Sequence, residues 1–405
     1  MGMRPRASLA VLAGANGRRN RCFLFTLCSW QTDLAPIALR SLPSQPKETP
    51  LSADPGGSIM KICVITPRFT ISGVSLAQQR FARALAASGH DVDLIIGQID
   101  ADLTKPDLLG VHVIALQRPN VRGMFFPFCR YLRRTKPDVV FSAEDHLNAT
   151  VLLAAILTRS KAKISGSSRV TPFDTYSRTW FTKRWVLKQI VRAVSWRANA
   201  LTCVSKDMID QYRRVFRSTP HVDVYNIVDD ETSRARMRDS VEDDWFNRKE
   251  RPLVVAAGML APWKGFADLI RSIRILADRG RIVRLVILGE GPLREDLEAL
   301  VDELDLKDLV RLPGRTDNPL KYFARSDVFA LSSHVEGLPN VLVEAMMCGC
   351  TPVATDCPTG PREVLQGGRF GYLVAMGDPE ALADGIERAL ANPISPECLA
   401  AAVKP

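Results

Sequence analysis

Histidine is scarce in this 405-residue chain, with five in all, and none stands in an HExxH arrangement or beside a CxxC pair. Nine cysteines are dispersed, and the closest pair, Cys348 and Cys350, forms CGC rather than CxxC. Neither a zinc cluster nor a disulfide framework has the spacing it needs, so isolated, reduced thiols and no metal site are expected. No uninterrupted apolar stretch reaches the roughly 20 residues that cross a bilayer. A repeat of about 20–50 residues, the mark of a solenoid, is also missing.

What is present fits globular domains. The hydrophobic fraction is 46%, enough to bury sizeable cores. At about 100–200 residues per domain, this length favours two domains over one. A formal net charge of +10 points to an anionic partner or surface. No coherent recognition motif accompanies it, so no specific nucleic-acid partner is expected. Composition sets no oligomeric state.

The opening MGMRPRASLAVLAGANG has a basic start and a short apolar run, in the manner of a signal peptide. The erratic Pro-, Ser- and Arg-rich stretch that follows argues against one. Residues 1–59 read as a disordered or non-native leader, with Met60 as an alternative start, because KICVITPRF then reads at once as a core strand. Strand patterns at 61–67, 91–96, 111–116 and 139–142, with a helical pattern at 76–88, give an N-terminal α/β domain over 60–228. The charged 229–250 segment reads as a linker or surface excursion. Strand patterns resume at 253–257, 284–288, 310–312, 328–331 and 351–354, alternating with helical ones at 266–277 and 296–304. That alternation gives a second parallel α/β domain over 251–392, with 393–405 as a tail lacking a long helix to cross back. Ligands of such sheets bind beyond the carboxyl ends of the strands, here in a cleft between the domains.

The strongest local signal is Ser332–Met346, SSHVEGLPNVLVEAM, which leaves a strand and opens a helix. Pro339 suits a helix start, and the first amides, at Asn340 and Val341, stay free for an anion. Glu344 lies within the helix, where a carboxylate can accept from a ribose diol. Glu336 lies in the preceding loop. The plain alternatives are a loop charge at Glu336 and a solvent-facing helix charge at Glu344.

Here the chain resembles the retaining glycosyltransferases of family 4, which have the GT-B fold of two facing Rossmann-like domains and an interdomain cleft. Their E-x7-E pattern matches Glu336 and Glu344 in EGLPNVLVE, and AAGMLAPWKGFADLI matches at Lys264. LVILGEGP, RLPGRTDNP, SDVFALSSHVEGLPNVLVEAM and PVATDCPTGPREVL add to the resemblance, which covers most of 253–374. It implies that Glu344 binds donor ribose, Glu336 positions donor sugar, and Lys264 compensates the diphosphate. The family's arginine after the first glycine is replaced here by Met259, leaving Arg315, Arg169 or Arg68 as alternative cations. Arg315 would lie near the base or in an ordinary turn, and Glu363 would bind donor hydroxyls or begin a helix.

In the first half, Ser72-Gly73-Val74 looks like the family's small-residue loop facing the donor phosphates, with Gly73 allowing close approach. Glu144, Asp145 and His146 follow the fourth strand on the acceptor side. His146 would orient an acceptor hydroxyl and Glu144 or Asp145 accept its proton, or Asp145 caps a helix. Over 173–198, Arg184, Lys188 and Arg192 alternate with Leu187, Ile190, Val191 and Val194, near Trp180, Phe181, Trp185 and Trp196. This pattern fits core packing of the apolar stripe or an interfacial surface for a lipid-linked acceptor.

The expected activity is retaining transfer of a sugar from a nucleotide diphosphate sugar, without a further cofactor, to a hydroxyl on a glycan or lipid-linked acceptor. Cell-envelope polysaccharide or lipid-linked glycan synthesis is the implied setting, in the cytoplasm or against an anionic membrane at its cytoplasmic face. The competing readings are a nucleotide-sugar epimerase or hydrolase, and a noncatalytic nucleotide- or polyanion-binding module.

Overall fold

A computed structural model describes residues 58–403 except 70–72, 100–105, 178, 217–220, 227, 229–232 and 248–249. The leader reading, residues 1–57 of it, and Ser72 lie outside the described residues. The first sheet comprises β1 (Lys61–Phe69), β2 (Asp91–Ile99), β3 (Val111–Ala115), β4 (Val139–Ala143), β5 (Lys163–Ser168), β6 (Ala200–Cys203) and β7 (His221–Asp223), in the order β3-β2-β1-β4-β5-β6-β7. The second comprises β8 (Leu253–Ala257), β9 (Arg284–Leu288), β10 (Val310–Gly314), β11 (Val328–Leu331), β12 (Thr351–Thr355) and β13 (Tyr372–Val374), in the order β10-β9-β8-β11-β12-β13. Every pairing is parallel, for example Ile62 with both Val92 and Val139, and Val328 with Val254.

Central strands are apolar on both faces because helices cover both. Ile62, Cys63, Val64 and Ile65 are fully buried, as are Leu253, Val254, Val255 and Ala256. In each sheet the order reverses beside the first strand, between β1 and β4 and between β8 and β11. Loops leaving neighbouring strands diverge at such a reversal, so a crevice opens beyond their carboxyl ends.

The sequence reading does not mark strands β5, β6, β7 and β13 or the short helices within 229–250 and 393–405. β5, with the sequence KISGSS, carries a weak strand signal, yet it pairs with β4 from Val139–Lys163 to Ala143–Ser167 and with β6 on its other side. Pairing on both edges overrides its propensity. Within 229–250 lie two short helices, Ser233–Arg238 and Asp244–Asn247, and Val241, Trp245 and Phe246 are buried in the second domain's core. The Trp245 ring faces Arg311 at 3.9 Å and Arg284 at 4.9 Å, which shields it beneath two cations. In the tail, the Ser395 hydroxyl caps the Pro396–Ala402 helix, and Leu399 is fully buried in the same core as Leu342 and Ala345. The tail therefore braces the back of the Asn340–Met347 helix instead of crossing to the first domain.

Candidate active site in the interdomain cleft

The two reversals face each other. Beyond β1 lies Gly73, and beyond β4 lie Glu144–His146; beyond β8 lie Gly258–Lys264, and beyond β11 lies the Ser332–Asn340 loop. Most of the sequence-derived candidates belong to these four loops or the helices they open; Arg315, Arg169 and Glu363 come from elsewhere, and Arg68 lies within β1 itself.

On the second-domain wall, Lys264 Nζ lies 2.6 Å from Glu336 Oε1, with side chains 17% and 9% exposed. That exposure sets aside the reading of Glu336 as an ordinary loop charge. Ser333 Oγ donates to the same Oε1 at 2.6 Å, and Ser332 Oγ donates to the Lys264 carbonyl at 2.8 Å. Thr359 Oγ1 donates to the Glu336 carbonyl, and Thr355 Oγ1 donates to the Ser333 carbonyl at 2.5 Å. Gly265 makes the junction possible. Its φ is +62°, and a Cβ there would stand 2.1 Å from the Ser332 carbonyl oxygen. Two loops about 70 residues apart are thus stitched into one cradle.

The Asn340–Met347 helix begins directly after Pro339. The Asn340 and Val341 amides have no intrahelical acceptor, which makes this end electropositive. The Val341 side chain is partly buried against the second-domain core. Glu344 is not solvent-facing: it is 6% exposed, and its Oε1 lies 3.2 Å from Arg80 Nη1 on the Gly73–Ala87 helix of the first domain. Asn226 Nδ2 donates to Asn340 Oδ1 at 2.8 Å across the same gap. Glu363, on the Pro361–Val364 helix, accepts from the Lys206 amide at 2.9 Å and from the Tyr225 hydroxyl, both of the first domain. Gly337 touches that domain too, since a Cβ there would stand 2.1 Å from the Arg169 carbonyl oxygen. The cleft is drawn together by the groups singled out for the donor.

On the first-domain wall, Glu144 has φ +77° and precedes the Asp145–Thr158 helix. Such backbone in a non-glycine residue costs about 1–3 kcal/mol and recurs at functional sites. It is held by Glu144 N donating to the Ser167 carbonyl and Asn148 N donating to the Glu144 carbonyl, at 2.9 and 2.8 Å. Burial pushes the Glu144 carboxyl up, with Asp145 adding to it, against the opposing pull of His146, Arg169 and Arg68. His146 is about half exposed, and its Nε2 lies 3.2 Å from Glu144 Oε2. Asp145 is placed differently from the acceptor-side reading. Its carboxylate is buried and accepts from Ser168 Oγ at 2.5 Å and from the Tyr176 and Tyr212 hydroxyls at 2.7 Å each. Three hydroxyl donors occupy it, so it anchors the first-domain core rather than receiving an acceptor's proton. Gly73 has φ +61° and open space beside it. Its glycine character answers to the backbone, with room left for a ligand.

Arg315 is exposed at the end of β10, the edge strand, and bonds none of these groups. Sequence reasoning missed Arg80, Asn226, Tyr225 and Lys206. Each meets its partner from more than 100 positions away, and no local pattern marks such a contact. Among the described residues no group of three or more His, Cys, Asp or Glu side chains is placed to hold a metal ion. None of the described helices is long and apolar enough to cross a membrane.

Comparison with known proteins agrees with this architecture. The pattern of the family Glycosyl transferases group 1 matches residues 237–404, and that of the Glycosyl transferase 4-like domain matches residues 72–226. An N-acetylgalactosamine-N,N'-diacetylbacillosaminyl-diphospho-undecaprenol 4-alpha-N-acetylgalactosaminyltransferase of Campylobacter jejuni is 31% identical over 59% of this chain and 64% of its own length. An uncharacterized glycosyltransferase of Methanocaldococcus jannaschii is 28% identical over 59% of this chain and 61% of its own. The matched part thus spans about six tenths of those two relatives. Among solved structures, Anabaena HepE in complex with UDP superposes with a TM-score of 0.66 at 18% identity, covering 85% of this chain and 93% of that one. A sucrose-phosphate synthase from Thermosynechococcus elongatus gives 0.68 over the same shares. The chain therefore has the GT-B fold of two facing Rossmann-like domains, its first half similar to the glycosyl transferase 4-like domain and its second half to the group 1 glycosyl transferases.

Proposed function

We propose that the chain is a retaining glycosyltransferase that moves a sugar from a nucleotide diphosphate sugar to a hydroxyl of a glycan or lipid-linked acceptor. The observation that carries this reading is the cradle formed by the Lys264–Glu336 pair, the Asn340 helix start and Glu344 beneath one interdomain gap. A helix start and an ammonium match a diphosphate, and a buried carboxylate one to two turns further along matches a ribose diol. In the proposed step the bond from the anomeric carbon to the diphosphate oxygen breaks, and its electron pair leaves with the nucleotide diphosphate. The acceptor oxygen attacks from the same face, and its proton passes to the leaving phosphate. Lys264 and the helix amides stabilise the charge that develops on the leaving group. Glu336 holds the sugar, and closure of the cleft excludes water. Glu144 and His146 face the acceptor.

The acceptor side favours a lipid-linked substrate. In the 173–198 region Val191 and Val194 are buried, whereas Ile190 is 41% exposed. Trp180 and Phe181 are 72% and 82% exposed, and Trp180 stacks on Trp185 at 5.9 Å. Lys183, Arg184 and Arg192 are exposed beside them. Aromatic rings flanked by cations suit an anionic membrane surface. The Campylobacter relative is named for a diphospho-undecaprenol substrate, and two Rhizobium meliloti relatives are named for lipopolysaccharide core biosynthesis.

The test is an acceptor-dependent assay across UDP- and GDP-sugars with short-chain polyprenyl-diphosphate glycans, reading product mass and anomeric configuration. A product with the donor's configuration supports the reading. An inverted linkage, free sugar alone or an isomerised donor refutes it.

A further inference from the structure

A nucleoside diphosphate brings two to three negative charges into the cleft. The second domain meets it with Lys264, whose ammonium is already bonded to Glu336. Met259, next to Gly258 at the end of β8, is 56% exposed and uncharged, and Arg315 stands apart on the sheet edge. Opposite them, at the end of β5, Arg169 turns its guanidinium into the gap. Nη1 donates to Asn226 Oδ1, and Asn226 in turn donates to Asn340 at the helix start. Nε is buried with no partner among the described residues. Among the described residues Glu144 is the one acidic group acting on it, and no ion pair forms between them. A guanidinium has five donors, and a buried cation with one of them unspent is costly unless an acceptor arrives.

We propose that Arg169 binds the donor diphosphate from the first domain, supplying in the closed cleft the second cation that the second domain lacks. This rests on the donor reading above. It has a consequence for the cycle: diphosphate binding and domain closure become one event, because the two phosphate-binding cations lie on opposite walls. Arg169 belongs to the wall that carries Glu144, and Lys264 to the wall that carries Glu344.

Isothermal titration with inorganic pyrophosphate, UDP, GDP and the two free nucleosides tests it on four proteins: wild type, Arg169→Gln, Arg169→Gln/Met259→Arg and Glu344→Ala. Wild type should bind pyrophosphate and at least one nucleoside diphosphate. Arg169→Gln should weaken both about ten- to a hundredfold, the loss of one or two charge-assisted bonds, and leave nucleoside binding unchanged. Adding Met259→Arg, which sets a guanidinium beside Lys264, should recover most of the loss. Glu344→Ala should weaken the nucleoside diphosphate and spare pyrophosphate. Arg169→Gln binding pyrophosphate within twofold of wild type overturns the proposal. So does a rise in the Michaelis constant of a phosphate-bearing acceptor alone, which would assign Arg169 to the acceptor's anion. A Glu344→Ala protein with wild-type nucleotide affinity undoes the donor reading while an Arg169 effect on pyrophosphate still stands. Wild type that binds none of the probes overturns both.

Discussion

Glu344 has two duties, and one pair of substitutions separates them. Its carboxylate lies 3.2 Å from the Arg80 guanidinium, with side chains 8% and 4% exposed, so the pair is dry on both sides. At an effective dielectric of about 20, unit charges at that distance attract by about 5 kcal/mol before desolvation is subtracted. Removing one member of a buried pair costs about 3–5 kcal/mol, because the other charge stays buried. Glu344→Leu should therefore lower stability by about 3 kcal/mol, a fall in melting temperature of about 6–12 °C for a domain of this size. Removing both charges with Arg80→Met/Glu344→Leu should restore most of that, since apolar replacement of a buried ion pair is often neutral. Nucleoside diphosphate affinity behaves differently. It should fall about ten- to a hundredfold in the single substitution and stay low in the double, because a ribose diol needs the carboxylate whether or not Arg80 is present. Differential scanning fluorimetry gives the first quantity and calorimetric titration the second. Recovery of nucleotide affinity in the double substitution would refute the ribose assignment. Failure of the double to recover stability would refute the buried-pair argument.

Glu336→Ala should reduce turnover by about two orders of magnitude, the ~3 kcal/mol typical of one lost transition-state contact. It should change nucleotide affinity little, and unchanged turnover in the purified protein would sink the role. Asp145→Ala leaves the Tyr176 hydroxyl buried without its acceptor and Tyr212 with the Val170 carbonyl alone, so denaturant unfolding should show a loss of about 1–3 kcal/mol. An unfolding midpoint equal to wild type would contradict its anchoring place. The carboxyl of Glu144 is held above its ordinary range, chiefly by burial, so it stays protonated to higher pH than a free glutamate near 4.3. If its carboxylate serves the acceptor, activity should fall as pH drops along a limb above that value. Glu144→Gln should abolish the limb, and a profile unaltered by the substitution would exclude the role.

Much of this protein was legible in its residues alone. Strands β1, β2, β4, β8, β9 and β11 announce themselves because interior strands of a parallel sheet are buried on both faces and read as apolar runs. The EGLPNVLVE segment and Lys264 were legible for a related reason: loop chemistry at a strand-to-helix turn is local, and the types and order of its side chains are written consecutively. Tertiary structure decided the rest. KISGSS became a strand by pairing with neighbours on both sides, and Trp245 joined the core from a stretch whose charge masks it. Asp145 and Glu144 are adjacent in sequence, yet one is enclosed by three hydroxyls and the other lies beside His146, a difference set by what the fold packs against each. The contacts of Arg80 with Glu344 and of Asn226 with Asn340 exist only once two separately folded sheets meet. Spacing along a chain records periodicity within a few turns; it holds no trace of which side chains oppose one another across a gap that folding itself creates.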